Sequence, residues 1–203
     1  MKKLLITGFE PFGGEAINPA LEAVLRLPDT MDGAAIVKLQ VPVVYDASAE
    51  TVLAAMEREQ PDAVLCVGQA GGRNAITPER VAINMDDASS ADNSGEVRTD
   101  TPIAPDGPAA YFATLPVKRM VDAAQAKGVA CRLSNSAGTY VCNHLMYAVL
   151  HHAAVRRLPV QAGFLHVPYI PEQTEAKPGM PSMTLDEIVK GLEACISAII
   201  AQK

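Results

Sequence analysis

The sequence predicts an α/β fold: a three-layer α/β/α sandwich built around a largely parallel, mixed central sheet. Three observations carry that expectation. Short, almost wholly apolar runs such as Ala63-Val64-Leu65-Cys66-Val67 recur along the chain, as strands buried on both faces do. Longer stretches with helical spacing alternate with them, the pattern of helices packed on both faces of a sheet. The 203 residues, 49% of them hydrophobic, suffice for one large domain spanning 1–203, and neither an internal repeat nor a linker interrupts them.

The elements follow in order. Residues 3–7 read as the first core strand. Asn18-Pro19 opens a helix to about residue 27, with Asn at the cap and Pro at the first helical position. A strand over 35–43 precedes a helix over 46–60, capped by Asp46 or Ser48, with Val52, Leu53 and Met56 turned inward. Residues 62–68 form a buried strand and 81–85 another. Residues 86–108, DDASSADNSGEVRTDTPIAPDGP, are rich in Asp, Ser, Gly and Pro and carry no periodicity. So long a stretch in a compact domain reads as a functional lid or an interface loop. A helix over about 116–127 ends at Gly128, followed by a strand over 129–134, an amphipathic helix over 141–157 and a strand over 161–167. A Pro-rich loop leads to a last helix over 185–201, whose Asp186, Glu187, Lys190 and Glu193 mark an exposed face.

Composition excludes several classes. A formal charge of -6, scattered basic residues, no Trp and only 4% aromatics argue against a nucleic-acid partner, which needs a basic stripe and stacking platforms. The apolar run at residues 4–6 stops at Thr7-Gly8, too short for a secretory signal, and no segment approaches the ~20 apolar residues that span a bilayer. The four cysteines form no CxxC pair and have no zinc-like spacing to histidine. Cys66, Cys131 and Cys195 sit in apolar stretches and read as buried small hydrophobes. Reduced thiols and no export signal point to the cytoplasm. His144 and His151 lie about 10 Å apart along a helix axis, and His151 and His152 point about 100° apart, so partly exposed imidazoles are expected rather than a metal site. With no HExxH, GxGxxG, P-loop or GxSxG pattern, neither a metal nor a cofactor is expected.

In parallel sheets the site is expected at the carboxyl ends of the strands. The residues just past those ends, 9–14, 69–73, 136–142 and 166–169, hold the unusual clusters of this chain. Cys142 stands in the first turn of its helix, where free N–H groups and the helix dipole favour an anion. Such a position is expected to lower the thiol pKa from ~8.5 and to offer an oxyanion site. A small residue packed at a turn explains the placement equally well. His166, on the end of a strand stiffened by Pro168 and Pro171, suits a general base. The orienting carboxylate is best sought in GQAGGRNAITPERVAIN, at Glu79, with Asp86 and Asp87 as rivals.

Four segments together, TGFEPFGG, VGQAGGRNAITPERVAIN, SAGTYVCNHLMY and GFLHVPYIPEQ, resemble the pyroglutamyl-peptidase I family over residues 4–183, in the family's order. The resemblance implies a cysteine peptidase that removes N-terminal pyroglutamate from peptides through a thioacyl-enzyme, without metal or cofactor, usually as a homotetramer. It implies Cys142 as nucleophile, His166 as base and Glu79 as the group that orients it. A pyroglutamyl ring is a neutral lactam, so its site needs a flat apolar slot and a few hydrogen-bonding groups. Phe9 and Phe12, with Val141 beside the thiol, are the candidate walls, and Gln69 is the candidate amide. The segment Asp87-Ala88-Ser89-Ser90-Ala91-Asp92-Asn93 departs from the family, which usually has arginine where Ser89 stands; Arg73 or Arg80 is the candidate substitute. Two other readings stay open at this point: a nucleoside phosphorylase or nucleosidase on a similar framework, and a non-catalytic binder of pyroglutamyl N-termini.

Overall fold

The computed structural model describes residues 1–201. β1 (Lys3–Phe9) leads through Asn18 into α1 (Pro19–Arg26), β2 (Thr30–Met31) and β3 (Ala34–Val41). α2 (Ala47–Glu59), β4 (Ala63–Gln69), β5 (Thr77–Pro78) and β6 (Val81–Ile83) follow. After the long loop come β7 (Ala110–Phe112), α3 (Val117–Ala126), α4 (Val141–Arg156) and β8 (Gln161–Val167). A single turn, α5 (Pro171–Thr174), and α6 (Leu185–Ile200) close the described chain.

The main sheet has the order β2-β3-β1-β4-β8-β5. Its four inner strands are parallel, and β2 and β5 add antiparallel edges, so the sheet is mixed but largely parallel. Period-2 alternation divides the strands between two cores. Leu4, Ile6, Leu65 and Leu165 face α1, α3 and α6, where Val24, Met120 and Leu192 cover them. Leu5, Val64 and Phe164 face α2 and α4, against Val52, Met56, Leu145 and Val149. Each such side chain taken fully out of water stabilises the fold by about 1.5–3 kcal/mol.

Local chemistry sets the helix starts. The Asn18 carboxamide oxygen accepts the Ala20 N–H at 3.0 Å, with Pro19 at the first position. Thr184 and Glu187 form a reciprocal capping box at α6. Asp46 occupies the cap position of α2 but makes no capping bond, because its carboxylate pairs with Arg98 at 2.5 Å.

Three expectations are corrected. Residues 129–134 do not form a continuous strand; they run beside residues 76–80 through the isolated bridges Ile76–Cys131 and Glu79–Ser134, and the ladder breaks between them because Pro78 has no N–H to donate. The strand at Val81 lies outside the main sheet and pairs with β7. α4 is not amphipathic: its first turns are buried all round, with Val141, Asn143, His144, Leu145, Met146 and Tyr147 enclosed. The loop 86–108 produces that enclosure. Arg98 bonds both Asp46 and Asp86, and the Tyr147 hydroxyl donates to the Pro108 carbonyl at 2.7 Å, so the loop is tied down over α4. Among the described residues no helix is long and apolar enough to cross a membrane.

Candidate active site

Parallel strands that end together bring the loops after them to one edge. β4 and β8 run in register with Gly68 opposite His166, and α4 starts directly above that pair. A Cβ on Gly68 would stand 3.0 Å from the Cys142 sulfur and 2.8 Å from Cζ of Phe164. The missing side chain therefore lets the thiol settle onto the strand beside His166. The Phe164 ring packs against the His166 imidazole with centroids 4.7 Å apart. A cavity of about 290 Å³ opens over this point, and all four strand-end segments contribute to it.

The polar groups form a chain. His166 Nδ1 is 2.7 Å from Glu79 Oε1, and the Arg73 guanidinium donates to the same oxygen at 2.6 Å and also bonds the Thr77 hydroxyl. An ionised carboxylate only accepts, so His166 carries its proton on Nδ1 and keeps an Nε2 lone pair for the cavity. Glu79 is 0% exposed and His166 3%. Burial raises the Glu79 pKa, but the hydrogen bonds and charge of its partners, His166 foremost, outweigh it and hold the carboxyl below its ordinary value. Burial likewise holds the His166 imidazole below its ordinary value, against the upward pull of Glu79.

Cys142 departs from expectation. Burial pushes its thiol up to about 12, with the Glu79 charge adding to the rise and Arg73 opposing it. The helix terminus does not offset that rise, so the shift runs toward a protonated thiol beside an imidazole whose own pKa is lowered. The terminus does leave donors free. The first intrahelical bond runs from the His144 N–H to Tyr140, and Tyr140 gives no side-chain cap, so the N–H groups of Val141, Cys142 and Asn143 have no helical partner.

The other candidates fall as follows. Phe9, Phe12, Gln69 and Val141 all line the cavity with Cys142 and His166. The Gln173 amide donates to Gln69 Oε1 at 3.0 Å while its own oxygen accepts the Ile170 N–H, which leaves the Gln69 amide hydrogens for the cavity. Asp86 is not the partner of His166: it bonds His144 Nδ1 at 2.8 Å. His144 itself is buried, unlike the partly exposed imidazole expected of it. Cys66, Cys131 and Cys195 are free and buried. Among the described residues no group of three or more His, Cys, Asp or Glu is placed to hold a metal ion. Tyr169, within the 166–169 strand-end segment, and Val43, outside every strand-end segment the sequence singled out, also line the cavity. Gly71 makes room for the Tyr169 ring: a Cβ there would overlap it.

A thiol, an imidazole bonded to a buried carboxylate, and open helix N–H groups, all at the carboxyl edge of an α/β sheet, make up the apparatus of a cysteine-dependent hydrolase. Comparison with known proteins narrows the class. A family model described as pyroglutamyl peptidase matches residues 2–202. The pyrrolidone-carboxylate peptidase of Levilactobacillus brevis is 54% identical over 198 residues, covering 98% of this chain and 97% of the relative. That of Streptococcus pyogenes is also 54% identical, over 98% of this chain and 92% of the relative. The crystal structure of pyroglutamyl peptidase I from Bacillus amyloliquefaciens superposes with a TM-score of 0.96 at 44% identity, over 99% of this chain and 96% of that one. A mutant pyrrolidone carboxyl peptidase from Pyrococcus furiosus gives 0.94 at 40%, over 98% of both chains. The chain belongs to the pyroglutamyl peptidase family.

Proposed function

We propose that Cys142, His166 and Glu79 act as nucleophile, general base and orienting carboxylate in a cysteine peptidase that removes N-terminal pyroglutamate from peptides. The observation that carries the assignment is the His166–Glu79 bond of 2.7 Å, which aims Nε2 into the cavity that Cys142 lines. As the sulfur attacks the pyroglutamyl carbonyl, its proton passes to His166 Nε2. The raised thiol pKa makes this transfer concerted with attack rather than prior to it. The N–H groups opening α4 receive the oxyanion. The tetrahedral adduct collapses, the C–N bond breaks, and His166 returns the proton to the leaving amine. Water, deprotonated by His166, then hydrolyses the thioester and restores the thiol. Glu79 stabilises the imidazolium formed on the way, and Arg73 keeps Glu79 ionised.

Phe9, Phe12 and Val141 flank the lactam ring, and the Gln69 amide donates to its carbonyl. Arg73 is the basic residue at this site, supporting it through Glu79. The whole chain serves as one catalytic domain and assembles as a homotetramer in the cytoplasm, where its thiols stay reduced. Membership of the family displaces the nucleosidase reading. Fluorogenic amides of pyroglutamate, glutamate and proline test the function. Release from the pyroglutamyl amide alone is expected, because a charged ammonium or carboxylate is stranded in an apolar slot. Binding of the pyroglutamyl amide without release would leave only a binder.

A further inference from the structure

The reaction cavity has a neighbour. A second cavity of about 470 Å³ lies beyond Phe12 and Tyr140, and those two rings are walls of both. Its opposite wall is the run from Asp87 to Ala91 at the start of the long loop. The run is anchored to the approach of α4. The Asp87 N–H donates to the Thr139 carbonyl at 2.9 Å, the Thr139 hydroxyl donates to the Asp87 carbonyl at 2.5 Å, and the Tyr140 hydroxyl donates to the Ala91 carbonyl at 2.9 Å. Thr139 and Tyr140 lead directly to Cys142, so this wall is fixed relative to the reacting sulfur.

We propose that the second cavity receives the residue that follows pyroglutamate, and that Asp87 makes it favour a basic side chain there. The inference rests on the peptidase reading with Cys142 as nucleophile. The scissile amide has two sides: the lactam ring occupies the pocket of Phe9, Phe12 and Gln69, and the leaving amine needs an exit shared with that pocket. The Phe12–Tyr140 boundary is such an exit. Beyond it the wall is two aromatic faces, small side chains and one charged group, the exposed Asp87. Both backbone groups of Asp87 are engaged by Thr139, and among the described residues no cation pairs with its carboxylate. A guanidinium or ammonium there meets an unpaired anion and aromatic faces, whereas an acidic side chain, or the free carboxylate of a dipeptide substrate, meets a like charge.

Because Asp87 is open to water, the discrimination is modest, roughly 3- to 10-fold between arginine and glutamate. The test measures kcat/KM for C-terminally amidated pyroglutamyl-arginine, -alanine and -glutamate at low ionic strength. The wild type is expected to rank them arginine, alanine, glutamate. Asp87→Asn is expected to bring the arginine-to-glutamate ratio to about 1, as is high salt. Ser89→Arg, which places a positive charge on the same wall, is expected to invert it. A wild-type ratio of unity, or one that Asp87→Asn leaves unchanged, overturns the inference. Failure to cleave the alanine amide at all would instead remove the peptidase reading on which it rests.

Discussion

Gly68→Ala probes the closest packing at the site. The added Cβ would stand 2.8 Å from Phe164 Cζ and 3.0 Å from the Cys142 sulfur, both shorter than ordinary carbon and sulfur contacts of about 3.5–4 Å. Phe164 is wholly buried and wedged against Phe9 and His166, so it has little room to yield. The clash is therefore shared between a strained core and a displaced thiol. Overpacking of this kind costs about 1–3 kcal/mol. In a domain of this size that is a fall in Tm of roughly 2–12 °C. Displacing the sulfur by several tenths of an ångström toward the cavity also slows the reaction, roughly 10-fold in kcat/KM, since a misplacement of about 1 Å costs about 10²-fold. Thermal denaturation and turnover of a pyroglutamyl amide measure the two separately. Wild-type kcat/KM in Gly68→Ala would refute the claim that this glycine seats the nucleophile.

Two further outcomes follow from the site's electrostatics. Glu79 pulls the His166 pKa upward against burial, so Glu79→Gln is expected to lower it further and move the acid limb of kcat/KM to lower pH, while kcat falls roughly 10²- to 10⁴-fold. An acid limb that stays put or moves up would break the assignment of Glu79 to His166. With the Cys142 thiol pushed up to about 12, its alkylation by iodoacetamide in the ligand-free enzyme should climb steadily with pH through about 10. A plateau near neutrality would reveal a preformed thiolate and contradict the concerted proton transfer.

Much of the fold was legible because its inner strands are continuous apolar runs and its first helix carries an explicit cap at Asn18. What the sequence hid depends on distant pairing. The partner of Val81–Ile83 is Ala110–Phe112, on the far side of an aperiodic loop, so nothing local separates that ribbon from the main sheet. The same loop buries His144 and turns an apparently amphipathic helix into a covered one. The cluster of Cys142, His166 and Glu79 was readable from strand-end positions and from the motifs around them. Residue pattern alone left Asp86 and Asp87 as rivals to Glu79; the motif resemblance favoured Glu79, and the register that sets Thr77 opposite His166 and sends Asp86 to His144 separates them in space. The direction of the thiol pKa runs against the helix-terminus expectation for a physical reason. A helix terminus offers a fraction of a charge, whereas partial burial against Phe164 and the strand weakens the solvation of a whole one.

The central claim is that one sulfur carries the reaction, and Cys142→Ala tests it most directly. Purified wild type and variant, both shown to be folded, are assayed under reducing conditions for release of a fluorescent amine from a pyroglutamyl amide. Turnover by the wild type and a loss on the order of 10⁴-fold or more in the variant are predicted, since removing a nucleophile takes away the covalent route altogether. Turnover by Cys142→Ala within about 10-fold of wild type, a change of only ~1.4 kcal/mol in the barrier, would contradict it.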